Sequence, residues 1–242
     1  MTGADSIRVA SFNIQHGAKG DYGRGYPGLV AAACKELDAD ILGLQEVDVG
    51  VPRSKKIDLA AIAAEATGMN YVFAKTRTYR GKGRVGNALL VRGDIRNVEV
   101  LKLKGDWQRF KLMGQCIEFL PEPRNMIMAT TAIRGCELSV GVTHTGGRKN
   151  REMLGRAATA LLQRSGPHIL MGDYNIELTE ARDCMSEHGL NVIEGPPTNP
   201  SWAPTRQIDH IALNRLRLRR VEAPRLPISD HLALVAEVVP VA

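Results

Sequence analysis

Three short stretches in the last third of the chain place acidic or imidazole side chains at the mouths of apolar runs. They are Gly172-Asp173-Tyr174-Asn175, Ile208-Asp209-His210-Ile211 and Ser229-Asp230-His231. Nearer the N-terminus, Asn13 sits inside an apolar run and Glu46 follows another. Oxygen ligands of these types suit Mg²⁺ or Mn²⁺, hard ions that prefer carboxylates and carbonyls and keep several waters. Such an ion polarises a phosphoryl oxygen and offsets charge building on a leaving group. His144 closes the apolar run 138–142, and His231 directly follows Asp230. A positioned imidazole donates a hydrogen bond to a phosphate oxygen, or takes a proton from water when a carboxylate orients it. Asp209 is the candidate orienting partner of His231, and Asp173 is the alternative base; the sequence leaves both open. Singly, each element is more commonly a polar turn or a cap, and His168 and His210 read as structural or exposed. The order and spacing of the whole set carry the chemistry.

These residues need strands to hold them. Alternation and buried apolar runs predict strands over 7–14, 40–45, 71–75, 87–91, 98–103, 126–133, 137–142, 168–171, 208–213 and 232–238. Helical spacing predicts helices over 29–37, 57–67, 149–164 and 178–188, with Gly68 placed to stop the second. Residues 17–28, 47–56 and 195–204 read as loops. The segment 104–124 reads as an insertion or an edge strand, and 215–220 as an edge strand with one wet face. Helices and strands interleave, yet the pair around Gly135 reads as a hairpin, so the pattern implies mixed sheets with helices outside.

The chain has 242 residues, a length that suits one large domain over 1–242 with a core that needs no staples. Its formal charge of +6 favours anionic partners, though surplus surface Lys and Arg account for it as well. Cys34, Cys116, Cys136 and Cys184 form no CxxC, which argues against structural zinc and a disulfide framework. The sequence shows no secretory leader pattern and no apolar run of about 18 residues, so a cytoplasmic protein without a membrane span is the expectation; no long amphipathic stripe forces a dimer, so a monomer is the default.

The set Ser11-Phe12-Asn13-Ile14, Leu44-Gln45-Glu46-Val47-Asp48, Gly86-Asn87-Ala88-Leu89-Leu90, Thr143-His144-Thr145, Gly172-Asp173-Tyr174-Asn175, Ile208-Asp209-His210-Ile211 and Ser229-Asp230-His231 resembles the endonuclease/exonuclease/phosphatase superfamily. The resemblance implies an α/β four-layer α-β-β-α sandwich, two mixed β-sheets packed face to face with helices outside. It implies Asn13, Glu46 and Asp230 at a Mg²⁺ (or Mn²⁺) ion, and His144, Asn175 and His231 on the scissile phosphate. Asp173 would activate or position water, Asp209 would orient His231 or support the metal, and Asn87 would lie at the site edge. Val47-Asp48 and Thr143-His144 look nearer the deoxyribonuclease I, sphingomyelinase and phosphatase side than the abasic-site endonucleases. Residues 46–54 and Glu122-Pro123-Arg124 look like a bacterial branch of metal-dependent hydrolases. Thr145 stands where Leu is common, and Val85 where an aromatic is common.

The expected activity is a metal-dependent phosphoesterase, a phosphodiesterase before a monoesterase or a lipid-headgroup diesterase, with nucleic acid a possible substrate. The reading of another class is an idle nucleic-acid or phospho-ligand binding module on the same scaffold. Arg77, Arg80, Lys82 and Arg84, and Arg148, Lys149 and Arg151, either flank a phosphate-rich substrate or are solvated surface. Trp202 either stacks a base or, the preferred reading, covers the core.

Overall fold

A computed structural model describes residues 6–20, 23–103, 108–112, 115–119, 122–147 and 149–241, with 108–112 and 115–119 described by backbone alone. The first half runs β1 (Ile7–Asn13), α1 (Pro27–Leu37), β2 (Ile41–Val49), α2 (Leu59–Thr67), β3 (Asn70–Thr78), β4 (Arg84–Val91) and β5 (Arg96–Leu103). A hairpin follows, β6 (Gln108–Leu112) and β7 (Gln115–Phe119), forming its own two-stranded sheet. The second half runs β8 (Arg124–Ile133), β9 (Cys136–His144), α3 (Asn150–Leu162), β10 (His168–Asp173), α4 (Leu178–Ser186), β11 (Asn191–Val192), β12 (Asp209–Asn214), β13 (Leu216–Glu222) and β14 (Leu234–Pro240).

The two large sheets have six strands each, ordered β13-β14-β1-β2-β4-β3 and β11-β12-β10-β9-β8-β5. Each is mixed, with one parallel pair at its centre: β1 with β2, and β9 with β10. Side chains alternate across each strand. Val9, Ile41 and Leu89 of one sheet therefore meet Val140, Val142, Ile169 and Met171 of the other. The opposite faces take Phe12, Leu42 and Leu44 against α1 and α2, and Met128, Leu170 and Ala212 against α3 and α4. This is the expected four-layer α-β-β-α sandwich. Asp58 caps α2 by accepting from the Ala61 N–H at 2.9 Å, and Gly68 ends it at φ 67°.

The topology explains the site. Parallel partners end at the same side of a sheet, and open α/β sheets bind ligands at carboxyl ends of strands. Asn13 lies opposite Gln45, and Asp173 opposite both His144 and Asp209. The antiparallel β14 pairs Leu234 with Ser11, which brings the preceding residues 229–231 to the same rim.

One expectation is corrected. Residues 47–49 are strand rather than loop: β2 continues past Glu46, pairing Val47 with Gly86 and Asp48 with Val85 after a register shift. Residues 52–54 form a 3₁₀ turn, tied down by Asp48, which takes two Arg53 N–H bonds at 2.8 Å each and the Ser54 hydroxyl at 2.5 Å. The short strand β11 carries too little pattern to be read. The basic strand β13 does lie at a sheet edge, as its alternation implies. No helix of the described residues is long and apolar enough to cross a membrane.

Candidate active site

Asn13 is the hub between the sheets. Its amide nitrogen donates to Glu46 Oε1 at 3.2 Å and to Asp173 Oδ2 at 3.0 Å, while its Oδ1 accepts from the Gln15 N–H at 3.0 Å. Glu46 reaches this position because the β2 register shift puts it at φ 56°, a left-handed conformation unusual for a residue with a side chain. Gly172 sits at φ 153° with its backbone against β9; a Cβ there would lie 1.8 Å from the Thr143 carbonyl oxygen. Only glycine lets Asp173 follow at this height. Asn175, at φ 52°, folds back so that its N–H donates to Asp173 Oδ1 at 2.9 Å.

His231 is oriented. Its Nδ1 lies 2.8 Å from Asp209 Oδ2, so Nδ1–H donates and Nε2 turns towards Asp173 Oδ2 at 3.9 Å and Asp230 Oδ1 at 4.0 Å. Ser229, at φ 74°, ties this loop down: its hydroxyl donates to the Asn13 carbonyl at 2.6 Å and accepts the His231 N–H at 3.0 Å. His144 Nε2 lies 3.4 Å from Asp173 Oδ2 and 3.1 Å from Asn175 Nδ2, whose amide also donates to the Thr145 carbonyl at 2.9 Å. Asn87 donates to Asn125 Oδ1 at 3.0 Å and lines a cavity of about 70 Å³ with Glu46, His144, Arg77, Glu122 and Arg124. All nine candidate residues thus meet at one rim.

Electrostatics separates their states. Burial and the neighbouring Asp209 charge push the Asp173 carboxyl up to about 7. Burial alone would lower His231, but Asp209, Asp173 and Asp230 outweigh it and raise the imidazole to about 10. Burial, then the Arg124 and His231 charges, holds His144 well below the ordinary imidazole range, in keeping with an Nε2 that accepts from Asn175. Burial raises the Glu46 carboxyl; the Asn13 hydrogen bond opposes this, and the Asp230 charge adds to it.

The donor set fits a divalent cation. Among the described residues, the carboxylates Asp173, Asp209 and Asp230 lie within ion-pair distance of His144 or His231 and of no Lys or Arg, and Glu46 adds a fourth acid joined to them through Asn13. That surplus of negative charge is what a cation offsets. Asp173, Asp209 and His231 present ligand atoms within 4.8 Å of one another. His231 Nδ1 is already committed to Asp209, however, so this trio is an oriented imidazole more than a cage. Glu46 and Asp230 retain open oxygens, and Asn13 Oδ1 keeps a lone pair, so these three could hold the ion.

Some residues were not legible as site residues. Asn125 bridges Asn87 to the Lys75 carbonyl at 3.0 Å, and its own carbonyl takes the Thr143 hydroxyl at 3.0 Å. Thr145 is buried and donates to the Tyr174 carbonyl at 3.1 Å, which fixes the turn after Asp173. A threonine within a recurrent motif was the only signal. Other expectations move away from the site. Lys149 pairs with Glu152 at 3.3 Å and Arg151 with Glu187 at 2.8 Å; Arg148 lies outside the described residues. Trp202 covers no core: it is 64% exposed. His210 and His168 are structural, bonded to the Ile176 carbonyl at 2.9 Å and the Arg164 carbonyl at 2.8 Å. Cys34 and Cys184 are buried, Cys136 is partly so, and the Cys116 side chain lies outside the description.

Residues 10–231 match the Endonuclease/Exonuclease/phosphatase family. The chain belongs to this family. Its members are hydrolases acting on phosphoester bonds, generally dependent on a divalent metal, and this chain is such a hydrolase. Solved structures of the family fold align along almost all of it. An endonuclease/exonuclease/phosphatase from Beutenbergia cavernae is 17% identical with a TM-score of 0.72, covering 98% of this chain and 72% of that one. A mannosyl-6-phosphatase from Bacteroides thetaiotaomicron is 20% identical with a TM-score of 0.72, covering 97% and 100%. The human Nocturnin catalytic domain is 23% identical with a TM-score of 0.66, covering 98% and 94%. A search of curated proteins gave no match.

Proposed function

We propose that this hydrolase is a single-domain, Mg²⁺- or Mn²⁺-dependent phosphodiesterase of nuclease type, acting by in-line attack of water without a covalent enzyme intermediate. One observation carries the reading: Asn13 joins Glu46 to Asp173, while Asp173 faces both His144 and the Asp209-held His231. Asn13, Glu46 and Asp230 would hold the cation, which when bound polarises a phosphoryl oxygen and offsets charge on the departing one. Asp173 takes the proton from the attacking water. Its carboxyl at about 7 is a better acceptor near neutral pH than an ordinary carboxylate, whereas His231, raised to about 10, already carries its proton. His231 therefore donates to the phosphate, held in one orientation by Asp209. His144 and Asn175 flank the phosphate, and Asn87 bounds the site.

A nucleic-acid substrate is supported by the charge of +6 and by Trp202. Its loop is tied to the Asp230 carbonyl by Ser201 N–H at 2.7 Å and by the Asn199 amide at 3.2 Å, which anchors the segment carrying this exposed indole to the site and supports a stacking role. A cytoplasmic monomer fits this reading. The deciding assay is hydrolysis of bis-p-nitrophenyl phosphate, plasmid DNA and a sugar monophosphate with Mg²⁺ or Mn²⁺. Diester cleavage that stops in EDTA is expected. Full activity in chelator would end the metal reading, and monoester cleavage alone would make the enzyme a phosphomonoesterase. Salt-sensitive DNA binding without cleavage would favour the idle binding module.

A further inference from the structure

We propose that Arg77, Arg124 and Glu122 form a second-phosphate pocket beside the reacting centre, in which Glu122 stands where a non-reacting phosphate of the substrate binds. The proposal rests on the phosphoesterase reading and specifies what that substrate must carry. Arg77 lies near the end of β3, and Arg124 opens β8. Both converge on one carboxylate: Arg77 Nε bonds Glu122 Oε1, and Arg124 Nη2 lies 3.4 Å from Oε2. Two guanidinium forks on the two oxygens of one anion is an arrangement that phosphate satisfies better than carboxylate, having more acceptor oxygens and more charge.

The place is continuous with the site. The cavity of about 70 Å³ is lined both by Glu46, Asn87 and His144 of the site and by Arg77, Glu122 and Arg124. That is room for several waters or one tetrahedral oxyanion. Gly146 lies between the two groups: a Cβ there would be in ordinary contact with both Arg124 Nη2 at 3.4 Å and Asn175 Nδ2 at 3.7 Å. Arg77 is also held from behind, its guanidinium 5.8 Å from the Tyr79 ring, which Arg53 covers at 4.4 Å. Glu122 is the movable member. Its side chain is 37% exposed, and exposed ion pairs are weak enough to be exchanged for a stronger anion.

Titration calorimetry in Ca²⁺ tests this with deoxythymidine bisphosphate against deoxythymidine monophosphate, and fructose bisphosphate against fructose monophosphate. The native protein should favour a bisphosphate by about tenfold or more, the worth of one or two charge-assisted hydrogen bonds. Arg77→Ala and Arg124→Ala should bring that ratio near unity, and Glu122→Gln should raise it. A preference confined to the nucleotide pair supports the pocket with a nucleic-acid source; one shared by the sugar pair supports it for any second phosphate. A ratio near unity in the native protein, or one that neither arginine variant alters while circular dichroism shows both folded, overturns the pocket. Hydrolysis of bis-p-nitrophenyl phosphate by the same samples in Mg²⁺ reports separately on the catalytic reading. Hydrolysis without a bisphosphate preference removes the pocket alone, and a preference without hydrolysis removes the catalysis alone.

Discussion

Asp209 gives one oxygen to His231 and keeps the other, Oδ1, buried without a hydrogen-bond partner among the described residues. A bare buried carboxylate oxygen is costly. What it secures is an imidazole that carries a proton and faces one way. Asp209→Asn keeps the shape and loses the charge; kcat should fall by about 10²-fold or more with little change in KM, since the loss is in transition-state stabilisation. Steady-state kinetics on a diester checks this, and a near-native kcat would mean that His231 needs no such partner. In the proposed mechanism Asp173 sets the pH profile. A base works only when deprotonated, so the rate should decline as pH drops through its folded value of about 7, and a bound cation should move that limb to lower pH. Asp173→Ala should cost roughly 10²-fold or more in kcat and abolish the limb. An unchanged limb in that variant would assign it to another group.

Between neighbouring elements, the decisive features are local departures from ideal strands. Glu46 at φ 56°, Gly172 at φ 153° and Asn175 at φ 52° all sit where strands end at the rim. Strain concentrated at one edge is stored where it positions side chains. Gly172→Ala would drive a methyl into the Thr143 carbonyl, so the β9–β10 pairing must shift. The expected result is a loss of at least about 2 kcal/mol in denaturant unfolding together with loss of activity; native stability in that variant would refute the close approach. His210 in β12 offers a pH test of packing. Burial holds it below its ordinary value of 6.5, so the folded protein resists a proton that the unfolded chain accepts. Its contribution is complete above 6.5 and is lost as pH falls beneath it, with a slope of at most about 1.4 kcal/mol per pH unit. The stability gap between the native protein and His210→Gln should therefore narrow on acidification in parallel urea titrations. A gap independent of pH between neutral and mildly acidic buffer would place the proton elsewhere.

For the molecule as a whole, the two sheets share a hydrophobic layer at their centre and a polar seam at one rim. Asn13 crosses that seam to Asp173, so whatever sits on Asn13, Glu46 and Asp230 is linked to folding. Ligands that bind only the folded state stabilise by mass action, about 2.7 kcal/mol at a hundred times the dissociation constant. Mg²⁺ or Mn²⁺ added to chelator-treated protein should raise the melting temperature, and Glu46→Ala should abolish most of that rise. An equal rise in the variant would show that the ion binds elsewhere.

The sequence by itself determined which residues could stand at strand mouths, because strand alternation and turn chemistry are local. Interleaved helices and strands also implied mixed sheets with helices outside, and the family resemblance, carried by a motif set that runs the length of the chain, implied the sandwich. Relations between distant segments were beyond the sequence. The register shift that turns Glu46 inward is set by pairing with β4, and residues 47–49 alone look like loop. The lysine and arginine after His144 have phosphate-binding chemistry, yet Lys149 and Arg151 pair with glutamates that helical packing brings near. Trp202 looks like core cover until its loop is seen anchored on Asp230 with the ring outside. Residue types left Asp173 and His231 equally open as the base. The proposed assignment of Asp173 rests on burial and carboxylate proximity, and both quantities exist only once the chain has folded.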